Sequence, residues 1–440
     1  MDLLKDKIQK LYFKYLAASL WSAVVMSIYS FVDTIAVGQA EGPSGAAAMA
    51  IITPLYGITV FLAILAGIGG SVLMGKARGE GNDEKGNAYF TASAFLMLLL
   101  VATFWIIFAF HSDRIFMFFG ADAELLPMVN EYAQWIVRFC PIFLLSPYLG
   151  CLIRNDNAPG LAMRAVITGG LINIFGDWFF VFPLGMGIEG AAIATVLGTG
   201  VQFLILCSHF FSKKCNLRLV KPFQMFRALR KITATGFSSG LIDLAAVILA
   251  CIVNNQIMRY GGPTALAVFG VVSVISGLFQ SLYSGVGQAL QPIVSTNFGA
   301  QEHGRIQAVL RMSAVTVLIM GLVFMLAGLL FPNQIIRLFM DATPDVLEIA
   351  PDLVRMYFPT FLFMGLNVMA TYYLQSVMRI KGSLIVAMLR GVVLSGALLY
   401  ILPIFLKNIG VWIAVPIAEG ITAAIAFYFL YKAKKNKSLS

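Results

Sequence analysis

Four carboxylates sit inside long apolar runs of this sequence: Asp33, Asp177, Asp243 and Glu419. The other acids fall in polar segments or at the ends of apolar ones. A charged side chain near the centre of a bilayer costs about 2.5 to 3.5 kcal/mol on insertion scales, so an acid without a task there would give way readily to an apolar residue. Such a carboxylate lowers its energy by taking up a proton or a cation, which is the elementary event of ion-coupled transport. No Lys or Arg is expected comparably deep in an apolar run. On this reading the four acids meet only mobile positive species.

Their companions on the chain fit that chemistry. Tyr29 lies one turn before Asp33, and Asn173 one turn before Asp177, each on the same helical face. A rise of about 1.5 Å per residue brings Asp33 and Asp177 to one depth, near the outer ends of the first and fifth spans, with Thr195 of the sixth at a similar level. Two carboxylates at one level would titrate as a coupled pair if they are close. Asp243 and Glu419 fall near the midplane, in the seventh and twelfth spans. Asn254, Asn255, Gln280, Gln288, Gln291 and Asn367 add neutral polarity to the same half, which hydrogen bonding between helices explains as well as substrate binding does. Pro416 gives Glu419 a second reading, as a partner for backbone freed at a kink.

The elements that must hold these residues are membrane helices. Of 440 residues, 59% are hydrophobic and only 12% charged, against about half and a quarter in soluble domains, and the mean hydropathy is +0.86. Runs such as Phe95 to Phe110 and Ala314 to Phe331 exclude an outer-membrane barrel, which would alternate every second residue. Soluble enzymes, nucleic-acid modules and disulfide-stapled domains are excluded with it. Hydropathy with Gly, Pro and charge punctuation predicts twelve spans. Six lie near 13–36, 46–73, 88–110, 128–151, 161–182 and 188–211. After a basic cytoplasmic linker at 212–231, six more lie near 232–258, 264–291, 306–331, 353–377, 383–406 and 410–431.

The net charge of +10 is read as a topology signal rather than as a nucleic-acid footprint. Basic residues crowd into one set of loops and both termini, leaving Arg114, Arg138, Arg259, Arg337, Arg355 and Lys407 on the other side, which places both termini in the cytoplasm. The stretch Met1 to Lys14 is polar and basic and lacks a small-residue cleavage site, so the first span is expected to stay. The five cysteines and three histidines are scattered, and no metal site is expected.

A shift of about 220 positions superposes Gly42, Pro43, Gly57, Gly67, Gly79 and Phe119 on Gly262, Pro263, Gly277, Gly287, Gly299 and Phe339, and Lys85 on Arg305. Two copies with an even number of spans enter the membrane in the same sense. The expected fold class is therefore all-α integral membrane, with lobes 1–211 and 232–440 related by a pseudo-two-fold along the membrane normal, a frame suited to alternating access. Two soluble-enzyme motifs are set aside. Gly70 to Ala77 imitates a phosphate-binding loop but has Ala77 where a Mg²⁺-binding hydroxyl belongs, and Gly185, Gly187 and Gly190 form a turn between spans.

The order of motifs resembles the multidrug and toxic compound extrusion (MATE) family over nearly the whole chain. The resemblance is carried by Tyr29-Ser-Phe-Val-Asp33 with Gly38, by Arg154-Asn-Asp-Asn, by Asn173-Ile-Phe-Gly-Asp177, and by Gly187-Ile-Glu-Gly-Ala-Ala-Ile-Ala-Thr195. The paired loops Gly75-Lys-Ala-Arg-Gly79 and Ser295-Thr-Asn-Phe-Gly299 are similar too. The resemblance implies a non-enzymatic antiporter of the prokaryotic inner membrane that exports organic cations or drugs in exchange for H⁺ or Na⁺, without a cofactor and as a monomer. In members of the DinF-like branch the cation-responsive cluster lies in the first lobe, and Tyr29, Asp33, Tyr132, Asn173, Asp177 and Thr195 fall on its positions. Asp243, Glu419, Asn367 and Gln288 are the substrate-contacting candidates of the second lobe. Where Na⁺-driven members carry a carboxylate in the tenth span, Met364-Gly-Leu-Asn367 offers only an amide, which favours proton coupling through the first lobe. The alternatives are a lipid-linked saccharide flippase, disfavoured by the expected lack of basic residues in the spans, and an intramembrane lipid-modifying enzyme.

Overall fold

The computed structural model describes residues 2–121, 123–221, 224–339 and 344–435, less the side chains of residues 30, 31, 43, 46, 242–244, 246, 247, 434 and 435. These residues form helices α1 (Ile8–Gly79), α2 (Asp83–Phe118), α3 (Leu126–Arg138), α4 (Cys140–Asn155), α5 (Pro159–Gly176), α6 (Gly187–Cys207), α7 (Met225–Gly299), α8 (His303–Leu330), α9 (Pro332–Phe339), α10 (Pro344–Tyr357), α11 (Thr360–Ser376), α12 (Ile380–Met388) and α13 (Leu394–Lys435). One-turn π-helices, Asp177–Val181 and Leu389–Val393, continue α5 and join α12 to α13. The fold is an all-helical, multi-pass membrane architecture.

The twelve expected spans map onto these elements through breaks. α1 breaks at Gly42 (φ 63) and α7 at Gly262 (φ 73), and each glycine precedes a proline whose missing N–H cannot extend the helical ladder. α13 breaks at Lys407. The fourth span, expected as one rod, is instead α3 and α4 meeting at a bend of 58°. Pro141 at the start of α4 removes the amide that would have joined them. Pro359 does the same between α10 and α11. Helices also outrun the hydropathy edges: the second span continues to Gly79 and the third begins at Asp83, because hydropathy marks where apolar side chains stop, not where the ladder ends.

The chain divides into two compact units, Met1–Gly240 with Ser295–Glu302, and Leu241–Val294 with His303–Ser440. In unit 1, α5 and α6 touch backbone to backbone at Gly169 and Gly198. A Cβ on either would lie 2.6 Å from the other's carbonyl oxygen, closer than real atoms approach. Gly170, on the adjoining face, admits Val25 of α1, to which an added Cβ would come within 2.7 Å. α5 is thus pressed against α6 on one side and α1 on the other, which decides where Asn173 and Asp177, one and two turns further on, can point.

At the loop end of unit 1 the Arg154-Asn-Asp-Asn motif is a fastening. Buried Asp156 is bound by Arg78 Nη1 at 2.6 Å, His209 Nε2 at 2.7 Å and the Asn216 backbone N–H at 2.9 Å. A carboxylate here can only accept, so His209 donates from Nε2. Arg78 also holds the Asn216 carbonyl, Asn87 of α2 accepts from the Arg218 N–H, and Thr91 from the Val220 N–H. The segment after α6 is thereby stitched along α2. Burial alone would push the Asp156 carboxyl up, but the His209, Arg78 and Asn216 contacts together hold it below its ordinary value. A group with a depressed folded-state value stabilises above its unfolded value and loses that contribution as pH falls through the folded one. The purified protein should therefore lose melting temperature on acidification below about pH 4, and Asp156→Asn should flatten that slope while lowering stability at pH 7 by about 3 kcal/mol. Melting curves of both proteins between pH 3 and 7 test this; parallel slopes would remove Asp156 as the cause.

Candidate functional site

Unit 1 collects five of the six residues matched to the cation cluster into one hydrogen-bonded network inside the helices. Tyr132 of α3 donates to Asp33 Oδ2 at 3.0 Å. With its only proton so used, its oxygen accepts from Tyr56 at 2.9 Å and from Thr195 at 3.4 Å. Asn173 spends its amide protons on Thr195 Oγ1 at 3.1 Å and Asp177 Oδ1 at 3.4 Å. A continuous path therefore runs Asp33, Tyr132, Thr195, Asn173, Asp177. Every donor points along the path toward a carboxylate. What remains bare is all acceptor: Asp33 Oδ1, Asn173 Oδ1 and Asp177 Oδ2 are buried without a partner. Tyr29, the sixth residue, is half-buried one turn before Asp33 and lies beside Gly170 of α5.

Local sequence explains the positions. Asp177 opens a π-turn, a register shift common at functional sites. Thr195 is carried by α6, whose first turn is pinned from two sides: the Ile188 N–H donates to Glu41 at the α1 break, and Trp135 Nε1 to Glu189 at 3.0 Å. Gly187 has φ 53, and a Cβ there would strike Glu41, so this turn needs glycine. Trp135 lies one turn from Tyr132 on α3, so the same bond that seats α6 orients the tyrosine. Tyr56, absent from the sequence-derived set, is the residue that reasoning missed; its only signal was an aromatic hydroxyl mid-span.

Unit 2 corrects one expectation outright. Arg390 lies within the eleventh span and is buried, so the apolar runs do carry a basic residue. It sits in the second π-turn, with Nε and Nη2 each 3.0 Å from Glu419 Oε1 and Nη2 also 2.9 Å from Gln280 Oε1. Asn367 donates to Glu419 Oε2 at 2.5 Å and to the Glu419 carbonyl at 2.9 Å. Glu419 is thus neutralised by a fixed guanidinium, and Asn367 serves it. Gln288 is half-buried on α7 with no hydrogen bond to this network. The side chain of Asp243 lies outside the described residues.

One of the scattered histidines and one of the cysteines meet at Asp156: Asp156, His209 and Cys215 bring their ligand atoms within 4.8 Å of one another. Arg78 already occupies that carboxylate at 2.6 Å, and a guanidinium opposes a metal cation there, so the cluster serves as the loop fastening described above.

With this geometry in view, comparison with known families is decisive. The MatE family model matches residues 18–179 and again 240–401, one copy in each half of the chain. The chain belongs to the MatE family. Among curated relatives, the multidrug export protein MepA of Staphylococcus aureus is 22% identical over 408 residues, covering 92% of this chain and 89% of that protein. The probable multidrug resistance protein YoeA of Bacillus subtilis is 24% identical over 440 residues, covering 96% and 94%. Among solved structures, an outward-facing multidrug resistance MATE transporter of the MOP superfamily superposes with a TM-score of 0.91 at 23% identity, over 99% of this chain and 97% of that one. A MOP superfamily transporter from Pyrococcus furiosus, described with a binding pocket of reverse polarity, follows at 0.90, also 23% identical, over 99% and 97%. These structures share the fold of this MatE protein.

The ion pair of unit 2 makes a sharp prediction. Removing one partner of a buried pair strands the other charge at a cost of about 3–5 kcal/mol, whereas replacing both with apolar groups is often close to neutral. Arg390→Met should therefore lower the melting temperature strongly, and the double variant Arg390→Met/Glu419→Leu should recover most of the loss. Additive losses in a thermal double-mutant cycle would show that the two side chains act separately.

Proposed function

We propose that this MatE protein is a secondary multidrug exporter that trades protons for organic cations, with the unit 1 network as its proton site. The observation that carries the reading is the set of three bare acceptors on Asp33, Asn173 and Asp177, in a cluster where every donor is already committed. Positive charge is what such a cluster lacks. A path of two hydroxyls and one amide between two carboxylates suits a proton, because a proton taken up at one carboxylate alters the hydrogen bonds that reach the other. In unit 2 the position that would complete a carboxylate site for Na⁺ is Asn367, and Arg390 already supplies the positive charge. The names of the relatives support drugs as the class of substrate, and the basic asymmetry of the loops supports cytoplasmic termini in a prokaryotic inner membrane.

In the proposed cycle, a proton arriving from outside is taken up by one carboxylate of the Asp33–Asp177 pair, which lowers the pair's charge from −2 to −1 and removes the repulsion between them. α1, α3, α5 and α6 then settle into the arrangement that holds substrate weakly, and the cation leaves outward. Loss of the proton to the cytoplasm restores the arrangement that holds it. Coupling arises because proton and substrate favour different conformations. Reconstituted in proteoliposomes, the protein should release protons from an acid-loaded lumen when a cationic dye is added, and Asp177→Asn should abolish that exchange while the variant still elutes as a folded protein. Undiminished exchange by the variant would remove Asp177 from the coupling path. Exchange that follows a Na⁺ gradient and ignores pH would replace the proton.

A further inference from the structure

The strap stitched along α2 ends at a feature that transport chemistry does not use. Between the first turns of α2 and α7 lies a cavity of about 460 Å³ lined by Lys85, Lys221, Arg227 and Lys231, together with Tyr89 and one acid, Glu84. Lys85 is partly engaged, 2.9 Å from Glu80. Among the described residues no carboxylate pairs with Lys221, Arg227 or Lys231. Three uncompensated cations around one concavity are electrostatically costly unless an anion sits among them. Their placement is not accidental to the fold, because the hydrogen bonds from Asn87 and Thr91 to the backbone of Arg218 and Val220 deliver Lys221 to the rim.

The surroundings say where the anion comes from. Phe226, next to Arg227, is 91% exposed, and Leu219, two residues before Lys221, is 74% exposed. Large apolar side chains beside a basic pocket, at the point where α2 enters its apolar run, belong to the zone where headgroups meet acyl chains. Tyr89 presents an apolar ring with a polar tip at the same level. Basic pockets between helices on the positively biased side of a membrane bind anionic headgroups.

We infer that this pocket is a binding site for the phosphate headgroup of an anionic phospholipid, which docks the segment joining the two family repeats to the membrane surface. It is independent of the proton site. The test is native mass spectrometry of the full-length protein in detergent, titrated with dioctanoyl-phosphatidylglycerol or dioctanoyl-phosphatidylcholine, for wild type, K221Q/R227Q/K231Q, and the exposed amino-terminal control K5Q/K7Q/K10Q. A surface cation contributes about fivefold to anionic-lipid affinity. The pocket variant should therefore retain phosphatidylglycerol on the order of a hundredfold more weakly than wild type, the control should match wild type, and phosphatidylcholine should not discriminate among them. Equal retention of both lipids by wild type, or equal loss in both triple variants, would overturn the inference. So would displacement of phosphatidylglycerol by millimolar inorganic phosphate that itself binds as tightly, since the ligand would then be a soluble anion.

Discussion

Negative charge held away from water must be answered by positive charge, and this protein answers it in two ways. In unit 2 the answer is built into the chain: Arg390 lies against Glu419, and Gln280 and Asn367 complete the shell. In unit 1 the chain offers only hydroxyls and one amide to Asp33 and Asp177, and three buried oxygens remain bare. The two units thus differ in whether these buried acids have a guanidinium partner. On the proposed reading, the permanent charge makes a structural pair and the bare cluster makes a coupling site.

The helices exist to enforce that difference. Gly169 and Gly198 let α5 and α6 approach to backbone contact, the π-turn at Asp177 shifts the register that points its carboxylate, and the Trp135–Glu189 bond fixes α3 against α6. Each is a local choice made by a small or polar residue in a chain otherwise free to be uniformly apolar. The Asp156 fastening does comparable work at the loop end, holding the segment after α6 to α2 with an ion pair, a histidine and backbone hydrogen bonds rather than with apolar burial.

Much of this was legible in the sequence for physical reasons. Hydropathy carries the span pattern because lipid penalises polar side chains, and the Gly-Pro pairs at positions 42 and 262 mark the breaks of α1 and α7. Asp33, Asn173, Asp177 and Thr195 stood out because polar residues at one depth on neighbouring spans have few other reasons to exist. Tyr56 did not, since an aromatic residue in a membrane helix is ordinary until its hydroxyl is seen to find a partner. The bend between α3 and α4 and the helix break at Pro359 between α10 and α11 were hidden because hydropathy is blind to a missing amide. Arg390 was the serious omission: read as absent from the spans, it removed the partner of Glu419 and made that residue look like a free carboxylate. The argument against a flippase from a lack of basic residues falls with it; what opposes that reading is that Arg390 is already committed to Glu419.

The most direct test of an exchangeable counter-charge in unit 1 is to count protons when substrate binds. In weakly buffered detergent solution, a saturating cationic substrate should displace protons from the wild-type protein, and the Asp33→Asn/Asp177→Asn variant should bind substrate with none released. Proton release of equal size from that variant would contradict the account.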